Sequence, residues 1–468
     1  MQNQNFTDTI QNIASLINQL KFDEANMLLE TIKENPNKEI ILTLNGLMEL
    51  RKKNYENSIN FFVSAIEKNP NYLLAYTNLA SAYEKLNDFI NAEKYLNESI
   101  KLNPKSDLLQ NALGLMIYKQ DKIKESMSYF QKAIEINPLN ANAYFNIGNA
   151  NFSLKKFLPA KENFLSTLQI NKNYPDAFFN LAECEKKLKN FENALFYYKI
   201  ALQEKLTWLR KDKITAKILE SYLILNKKEE YVSEISLLIK NDTDNRRIAA
   251  TSAFISSQFK IEDEYPFCPK PLDFIYKTSL KSYFKNYDQF LNQIFEEVTK
   301  EKFQWEPSGK TTRKGMGTQG NLSENKLKMM KVFEDAVLKE LQNYFTFYSK
   351  EKITFIKNWP SKFKIISWSN RLKKQGYNIT HIHPGGWVSG VMYLKMPKDI
   401  KNDEAGIEFS LHGDDYHIVD KNIPTKLYTP AVGDLLFFPS SLFHRTIPFE
   451  SNEERVVIAF DLCSYNNK

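Results

Sequence analysis

The sequence predicts a multidomain chain: an all-α solenoid of paired helices first, then a mixed α+β part built on an antiparallel sandwich or barrel. Three observations predict it. Pro36, Pro70, Pro104 and Pro138 recur every 34 residues, within ENP, KNP, LNP and INP. Of 14 glycines only Gly46, Gly114 and Gly148 precede residue 309, and all five histidines follow residue 380. After residue 351 the chain breaks into short β-branched and aromatic runs between Gly, Pro and Asp turns, as strands do.

At 468 residues the chain exceeds one ordinary core, so two or three domains are expected. Its 43% hydrophobic and 25% charged composition is that of a soluble globular protein. No uninterrupted apolar run is long enough to span a bilayer, and no membrane partner is expected. The opening MQNQNFTDTIQNI lacks the basic start and apolar core of a secretory signal. Cys184, Cys268 and Cys463 are scattered and odd in number, which gives no disulfide framework and fits a reducing cytoplasm. The net charge of +7 is spread along the chain with no dense basic tract, so no nucleic-acid partner is expected.

The 34-residue period is the tetratricopeptide signature, two helices per unit. With each proline at position 32, the unit from Leu73 places Tyr76, Leu79, Ala80, Tyr83, Ala92 and Leu96 at the expected large and small positions. The units from Ala141 and Pro175 repeat the pattern, and the next proline step lands on Lys172. Gly46, Gly114 and Gly148 all fall at position 8, where the helices of a pair approach too closely for a side chain. The array is expected over residues 1–240, regular to about 206, with a degenerate closing pair at 207–240. Such arrays usually bind peptide or protein segments in a concave groove. Asn78, Asn146 and Asn180 share position 6 and resemble the asparagine ladder of the O-linked N-acetylglucosamine transferase repeats, where amides hold a peptide backbone. Ala112 interrupts the series, and asparagine facing water there is the plainer reading.

Residues 241–350 read as a linker and helical support. YPFCPKPLDFI (265–275) is expected to be a linker or an extended lead-in. Helical spacing is seen over 279–302 and 324–350, around a long Gly/Thr/Ser loop, WEPSGKTTRKGMGTQGNL (305–322). SGKTT lacks the earlier glycine and the preceding apolar strand of a phosphate-binding loop, so nucleotide binding is rejected. A loop over an active site fits better.

Residues 351–468 hold the expected strands KITFI, FKIISW, VSGVMYLKM, GIEFSL, DLLFFP and RVVIAFDL. In NITHIHPGGWVSGVMYL, His381 and His383 stand two apart, hence on one face of an extended segment. Two adjacent imidazoles repel when charged, and a metal ion is the usual reason to pair them. His444 follows a Gly-Asp turn, and Arg455 lies eleven residues beyond it.

This set resembles the double-stranded β-helix (jelly-roll) oxygenases dependent on iron(II) and 2-oxoglutarate, and more closely those fused to tetratricopeptide arrays. HIHPGGWVSGVMYL, GDLLFFPSSLFHRTIPF and the later ER carry the likeness, as do YPFCPKPLDFI and WEPSGKTT. The resemblance covers most of residues 265–463. It implies a dioxygenase, most simply a hydroxylase, using Fe(II), 2-oxoglutarate and O2. His381, His383 and His444 would hold the metal, Arg455 would pair with the distal carboxylate, and Tyr393 or Ser389 would donate to it. The array would recruit a substrate or partner.

One position departs from the superfamily, which usually carries Asp or Glu where this chain has His383. Either three imidazoles bind the iron, or a carboxylate elsewhere serves, with Glu408 and Asp434 as candidates. His412 and His417 read as solvated loop residues. Two rivals remain. A cupin-like metal dioxygenase without 2-oxoglutarate would need a Glu shortly after the second His, where residues 384–388 read PGGWV. A non-catalytic tetratricopeptide scaffold would leave the His and Arg set without a purpose.

Overall fold

In the computed structural model, which describes residues 2–203, 208–307, 309–325 and 327–465, the N-terminal unit is a run of helix pairs. They are α1 (Gln2–Asn18) with α2 (Phe22–Ile32), α3 (Lys38–Arg51) with α4 (Tyr55–Lys68), and α5 (Leu73–Lys85) with α6 (Phe89–Leu102). Next come α7 (Asp107–Lys119) with α8 (Ile123–Ile136), α9 (Ala141–Ser153) with α10 (Phe157–Ile170), and α11 (Pro175–Lys187) with α12 (Phe191–Gln203). A Cβ on Gly46, Gly114 or Gly148 would lie 2.5, 2.7 or 2.5 Å from the ring of Phe62, Phe130 or Phe164, each fully buried on the second helix of its pair. The glycine is the hole that the phenylalanine fills.

Local chemistry sets the helix ends. Asp88, Ser106 and Asn140 cap their helices by accepting from the backbone N–H three residues on. Asn69, Asn137 and Asn171 fold the connection between units by accepting from the N–H two residues on. That asparagine does the work even where Lys172 replaces the proline. Lys53, Asn87, Asp121, Lys155 and Lys189 hold left-handed backbone between the helices of successive pairs, again every 34 residues and never as glycine.

The chain divides into two compact units at Lys205 and Leu206. Residues 204–207, where the regular array was expected to end, lie outside the described residues. α13 (Trp208–Ile224) and α14 (Lys228–Ile239), expected as the closing pair of the array, fall in the second unit with α15 (Arg246–Phe259). The reason is polar as well as apolar. Buried Glu220 on α13 accepts from the His417 N–H at 3.1 Å. On α15, Thr251 and Tyr416 share a hydroxyl bond of 2.8 Å, Arg247 pairs with Asp414, and Gln258 receives the N–H groups of Val419 and Asp420.

The remaining elements form two facing sheets with helices behind one. The larger sheet contains β1 (Tyr276–Ser279), β2 (Phe303–Trp305), β3 (Thr312–Thr318), β4 (Phe363–Asn378), β5 (Val388–Lys395), β8 (Asp434–Pro439) and β10 (Arg455–Ser464), in the order β1-β8-β5-β10-β4-β3-β2. The smaller contains β6 (Ile407–Ser410), β7 (Thr425–Tyr428) and β9 (Phe443–Thr446), in the order β7-β6-β9. All pairings are antiparallel, and a bridge from His381 to His444 adds the segment before β5 to the smaller sheet. This is the jelly-roll arrangement. Val391, Tyr393, Leu436, Phe438 and Val457 of one sheet meet Ile407 and Phe409 of the other in the core. α16 (Tyr287–Thr299) and α17 (Lys328–Tyr348) lie on the chain before these strands, and α17 covers the outer face through Phe333 on Phe460 and Tyr344 on Phe437. β5 is therefore buried on both faces, which explains its unbroken apolar run.

Three expectations need correction. The 241–350 region is not only linker and helices, because β1, β2 and β3 join the main sheet. YPFCPKPLDFI is core and not linker: Tyr265, Phe267, Cys268 and Phe274 are all buried. KITFI is not a strand, since Thr354–Lys357 form the short helix α18, tied by the Thr354 and Phe355 N–H groups to the Pro266 and Phe267 carbonyls.

Candidate metal and cosubstrate site

β9 and the segment preceding β5 bring three imidazoles together. His381 and His444 exchange backbone hydrogen bonds of 3.1 and 3.0 Å, and the His383 N–H donates to the Ser440 carbonyl at 3.0 Å. One ligating nitrogen from each of His381, His383 and His444 lies within 4.8 Å of the others. The Nε2 atoms of His383 and His444 are 3.3 Å apart.

Each Nδ1 faces an acceptor: the Ile379 carbonyl at 2.7 Å for His381, Asp461 Oδ2 at 3.0 Å for His383, and the Leu442 carbonyl at 3.1 Å for His444. These acceptors place the ring proton on Nδ1 and leave the Nε2 lone pairs converging. Converging lone pairs repel unless a cation lies among them, so the donor set fits a metal ion. Burial first, and then His383, pushes the His381 imidazolium down to about 3. Burial, with His381 and His383, holds His444 well below its ordinary value. Both rings are therefore neutral ligands at neutral pH.

The cavity beside the histidines has a volume of about 510 Å³. Arg455, Val457, Ala459 and Asp461, alternate residues of β10, line it, with Ser389 and Val391 from β5 and Trp368 and Asn370 from β4. Arg455 is 2% exposed, and its Nε donates to the Ala405 carbonyl at 2.9 Å. Its guanidinium lies 5.0 Å from the centre of the Tyr393 ring. Among the described residues no carboxylate pairs with Arg455, and the buried Tyr393 hydroxyl has no partner in hydrogen-bond geometry. Burial pushes that hydroxyl up to about 12, against the pull of Arg455. A buried cation beside an orphaned hydroxyl fits the carboxylate of a ligand. Thr446, on the same face of β9 as His444, also lines the cavity.

Ser389 sits elsewhere in the network. Its hydroxyl donates to Asp461 Oδ1 at 2.7 Å and bonds the Ser440 hydroxyl at 2.8 Å, so its proton is directed to Asp461. The two fallback carboxylates lie off the site. Glu408 faces outward on β6 in an ion pair with Arg445, and Asp434 holds Lys277 and the Ala431 N–H. His417 is exposed, but His412 is not a solvated residue: its Nε2 meets the Tyr416 carbonyl at 2.8 Å and its ring packs on Phe254. Trp387 is core, its indole N–H donating to the Phe355 carbonyl. The segment expected over the active site does line the cavity, through Pro307, Gly309 to Thr312, Gly317 and Thr318. It leads into β3 and not into a helix, as the rejection of a phosphate-binding loop requires; Ser308 lies outside the described residues. In the array, Asn146 Nδ2 donates to Asn111 and Asn180 Nδ2 to Asn149, at 2.9 and 2.7 Å, and Asn78 Nδ2 donates to its own helix at Leu74.

Asp461, Trp368, Asn370 and Thr446 were not anticipated. The strand RVVIAFDL carried a signal for the first, since an Asp on the same alternating face as Arg455 is out of place in an apolar strand.

Comparison with known proteins agrees with this division. Residues 366–461 match the family model described as "Putative 2OG-Fe(II) oxygenase". Residues 73–106, 114–155 and 175–205 match models of the tetratricopeptide repeat. No curated protein matches the chain. Among solved structures, the chain is similar to PilF of Pseudomonas aeruginosa at 19% identity, covering 43% of this chain and 91% of that one, with a TM-score of 0.39. It is also similar to YrrB, described as a TPR protein with an unusual peptide-binding site, at 21% identity over 37% and 89% of the two chains, with a TM-score of 0.31. MamA is likewise 21% identical, over 37% and 96%, with a TM-score of 0.31. The chain thus carries tetratricopeptide repeats followed by a domain that matches the "Putative 2OG-Fe(II) oxygenase" model.

Proposed function

We propose that the chain is an iron(II)- and 2-oxoglutarate-dependent dioxygenase, specifically a hydroxylase, whose repeats recruit a peptide or protein as substrate or partner. The observation that carries this is the trio of imidazoles with every Nδ1 tied to an oxygen and every Nε2 turned to a common point. His381, His383 and His444 hold the metal; Arg455, Tyr393 and Thr446 hold the distal carboxylate of 2-oxoglutarate. Bound iron supplies the activation of O2, with 2-oxoglutarate as the electron source. The protein's part is to orient and to exclude water. The β10 face sets the cosubstrate along the cavity wall, and Pro307, Gly309 to Thr312, Gly317 and Thr318 line the substrate end with Trp368. Asn146 and Asn180, each donating to the preceding unit, and Asn78, donating to its own helix, use their amide N–H groups there and offer their side-chain carbonyl oxygens to a peptide backbone. No helix of the described residues is long and apolar enough to cross a membrane. The cysteines are free, which suits a reducing cytoplasm.

The test is anaerobic addition of iron(II) and then 2-oxoglutarate to the metal-free protein, read as a visible charge-transfer band. A band that requires both and disappears in Arg455→Ala supports the reading. Iron binding without a band favours a cupin-like dioxygenase, and no iron binding leaves a non-catalytic scaffold.

A further inference from the structure

We infer that Asp461 supplies, through one hydrogen bond to His383, the negative charge that a carboxylate ligand brings to most non-haem iron sites, and is thereby a positioning residue for the metal. The inference rests on the proposed metal centre and goes beyond its three ligands.

Iron(II) sites of this chemistry commonly use two histidines and one carboxylate. Three neutral imidazoles leave the dication uncompensated inside a protein, where charge is costly. Asp461 stands where it compensates. Its Oδ2 lies 3.0 Å from His383 Nδ1, and both side chains are 14% exposed. Among the described residues no Lys or Arg pairs with Asp461, and its Oδ2 meets His383 alone. Asp461 is absent from the group of atoms that fit around a common ion, so it braces a ligand and is not one.

The carboxylate is built in. Ser389 donates to its Oδ1 and is itself bonded to Ser440, whose carbonyl receives the His383 N–H. Trp368 stacks on the His383 ring, with centroids 5.4 Å apart and planes at 22°. A Cβ on Gly386 would lie 2.5 Å from the Ser440 hydroxyl and 3.3 Å from Asp461 Cβ, so the turn between His383 and β5 is shaped around this network. The imidazole has one orientation and one tautomer, with a carboxylate behind it. A carboxylate–histidine–metal relay raises the basicity of the ligating nitrogen. The charge that the superfamily places on the metal is here moved outward by one imidazole.

The test measures anaerobic iron(II) or cobalt(II) affinity in the parent, Asp461→Asn, His383→Asp, and the double variant. Asp461→Asn keeps the shape and should weaken metal binding by roughly 10–100-fold. In His383→Asp the ligand itself carries the charge, and Asp461 becomes a repelling neighbour. There Asp461→Asn should cost nothing or improve binding, a coupling that a packing role would not produce. Affinity of Asp461→Asn within about threefold of the parent, or an equal loss in both backgrounds, overturns the inference and leaves the metal centre standing. A parent that binds no metal overturns the centre as well. If Asp461→Asn does not fold, Ser389→Ala frees one carboxylate oxygen and keeps the charge. It should weaken binding by about two- to fivefold and alter the cobalt(II) visible spectrum, and an unchanged affinity and spectrum overturn the inference.

Discussion

In the repeat array the buried positions are filled by Ala, Leu and Phe that touch residues one helix or one unit away, and its asparagines bond between neighbouring units or back to their own helix. In the C-terminal unit buried Arg455 and His444 and half-buried Asp461 meet partners 50, 61 and 78 residues away: the Ala405 carbonyl, the His383 ring and His383 Nδ1. The first region spends its interior on cohesion. The second keeps costly groups inside, and these need a ligand to be satisfied. Stability should thus follow packing in one region and ligation in the other.

The largest effect that would sharpen this contrast is His444→Ala. It should abolish metal binding at micromolar iron(II), by isothermal titration, while circular dichroism stays that of the parent. A variant that binds as the parent does would break the ligand assignment. Arg455→Ala should weaken 2-oxoglutarate by on the order of 100-fold, since truncating one partner of a buried charge pair costs about 2–5 kcal/mol. Metal affinity should stay within a few-fold, and an equal loss of both would mean that Arg455 holds the fold.

Asp263 gives a pH test in the second unit. Burial pushes its carboxyl up to about 7, and its Oδ2 has no partner, although Ser252 and the Tyr265 N–H reach Oδ1. The folded state thus holds a proton that the unfolded chain releases at about 4. Native binds more protons than unfolded between those values, so stability falls as pH rises from about 4 to about 7 and is then level. Asp263→Asn should remove that slope, a difference of about 4 kcal/mol in the unfolding free energy from urea titrations across the window; a slope unchanged by the variant would refute it. The smallest effect belongs to the array. Gly148→Val drives a side chain into the Phe164 ring and should cost about 1–3 kcal/mol. Metal affinity is the control that should not move.

How much was legible follows from the same contrast. The array's period, its position-8 glycines and its helix pairs lie within 34 residues of sequence, so composition and spacing expose them, while the phenylalanines that fill the glycine gaps emerge only from the structure. The left-handed residues at Lys53, Asn87 and their successors were not seen, because no glycine marks them. In the C-terminal unit the cluster of His381, His383 and His444 was legible from the scarcity of histidine and the family resemblance, although His381 and His383 precede β5 and do not lie in the strand expected for them. β1 was not legible, since its partner β8 lies more than 150 residues on. β3 was read as loop because TRKGMGT has glycines where β4 approaches: a Cβ on Gly315 would lie 2.8 Å from the Arg371 carbonyl. α13 and α14 look like one more repeat locally, and only buried Glu220 betrays their other allegiance.

β10 pairs with β4 along one side and β5 along the other, so it is stiff over its whole length. It carries Arg455 near one end and Asp461 six residues along, roughly 20 Å of strand. The anion grip and the brace of the metal are thus two marks on a single ruler, with Val457 and Ala459 as the graduations between them. If 2-oxoglutarate binds as proposed, a homologous oxo-acid longer or shorter by a methylene would meet the same fixed spacing, because neither grip can slide toward the other. On the proposed function, selectivity for cosubstrate length would follow from backbone geometry and not from side-chain adjustment.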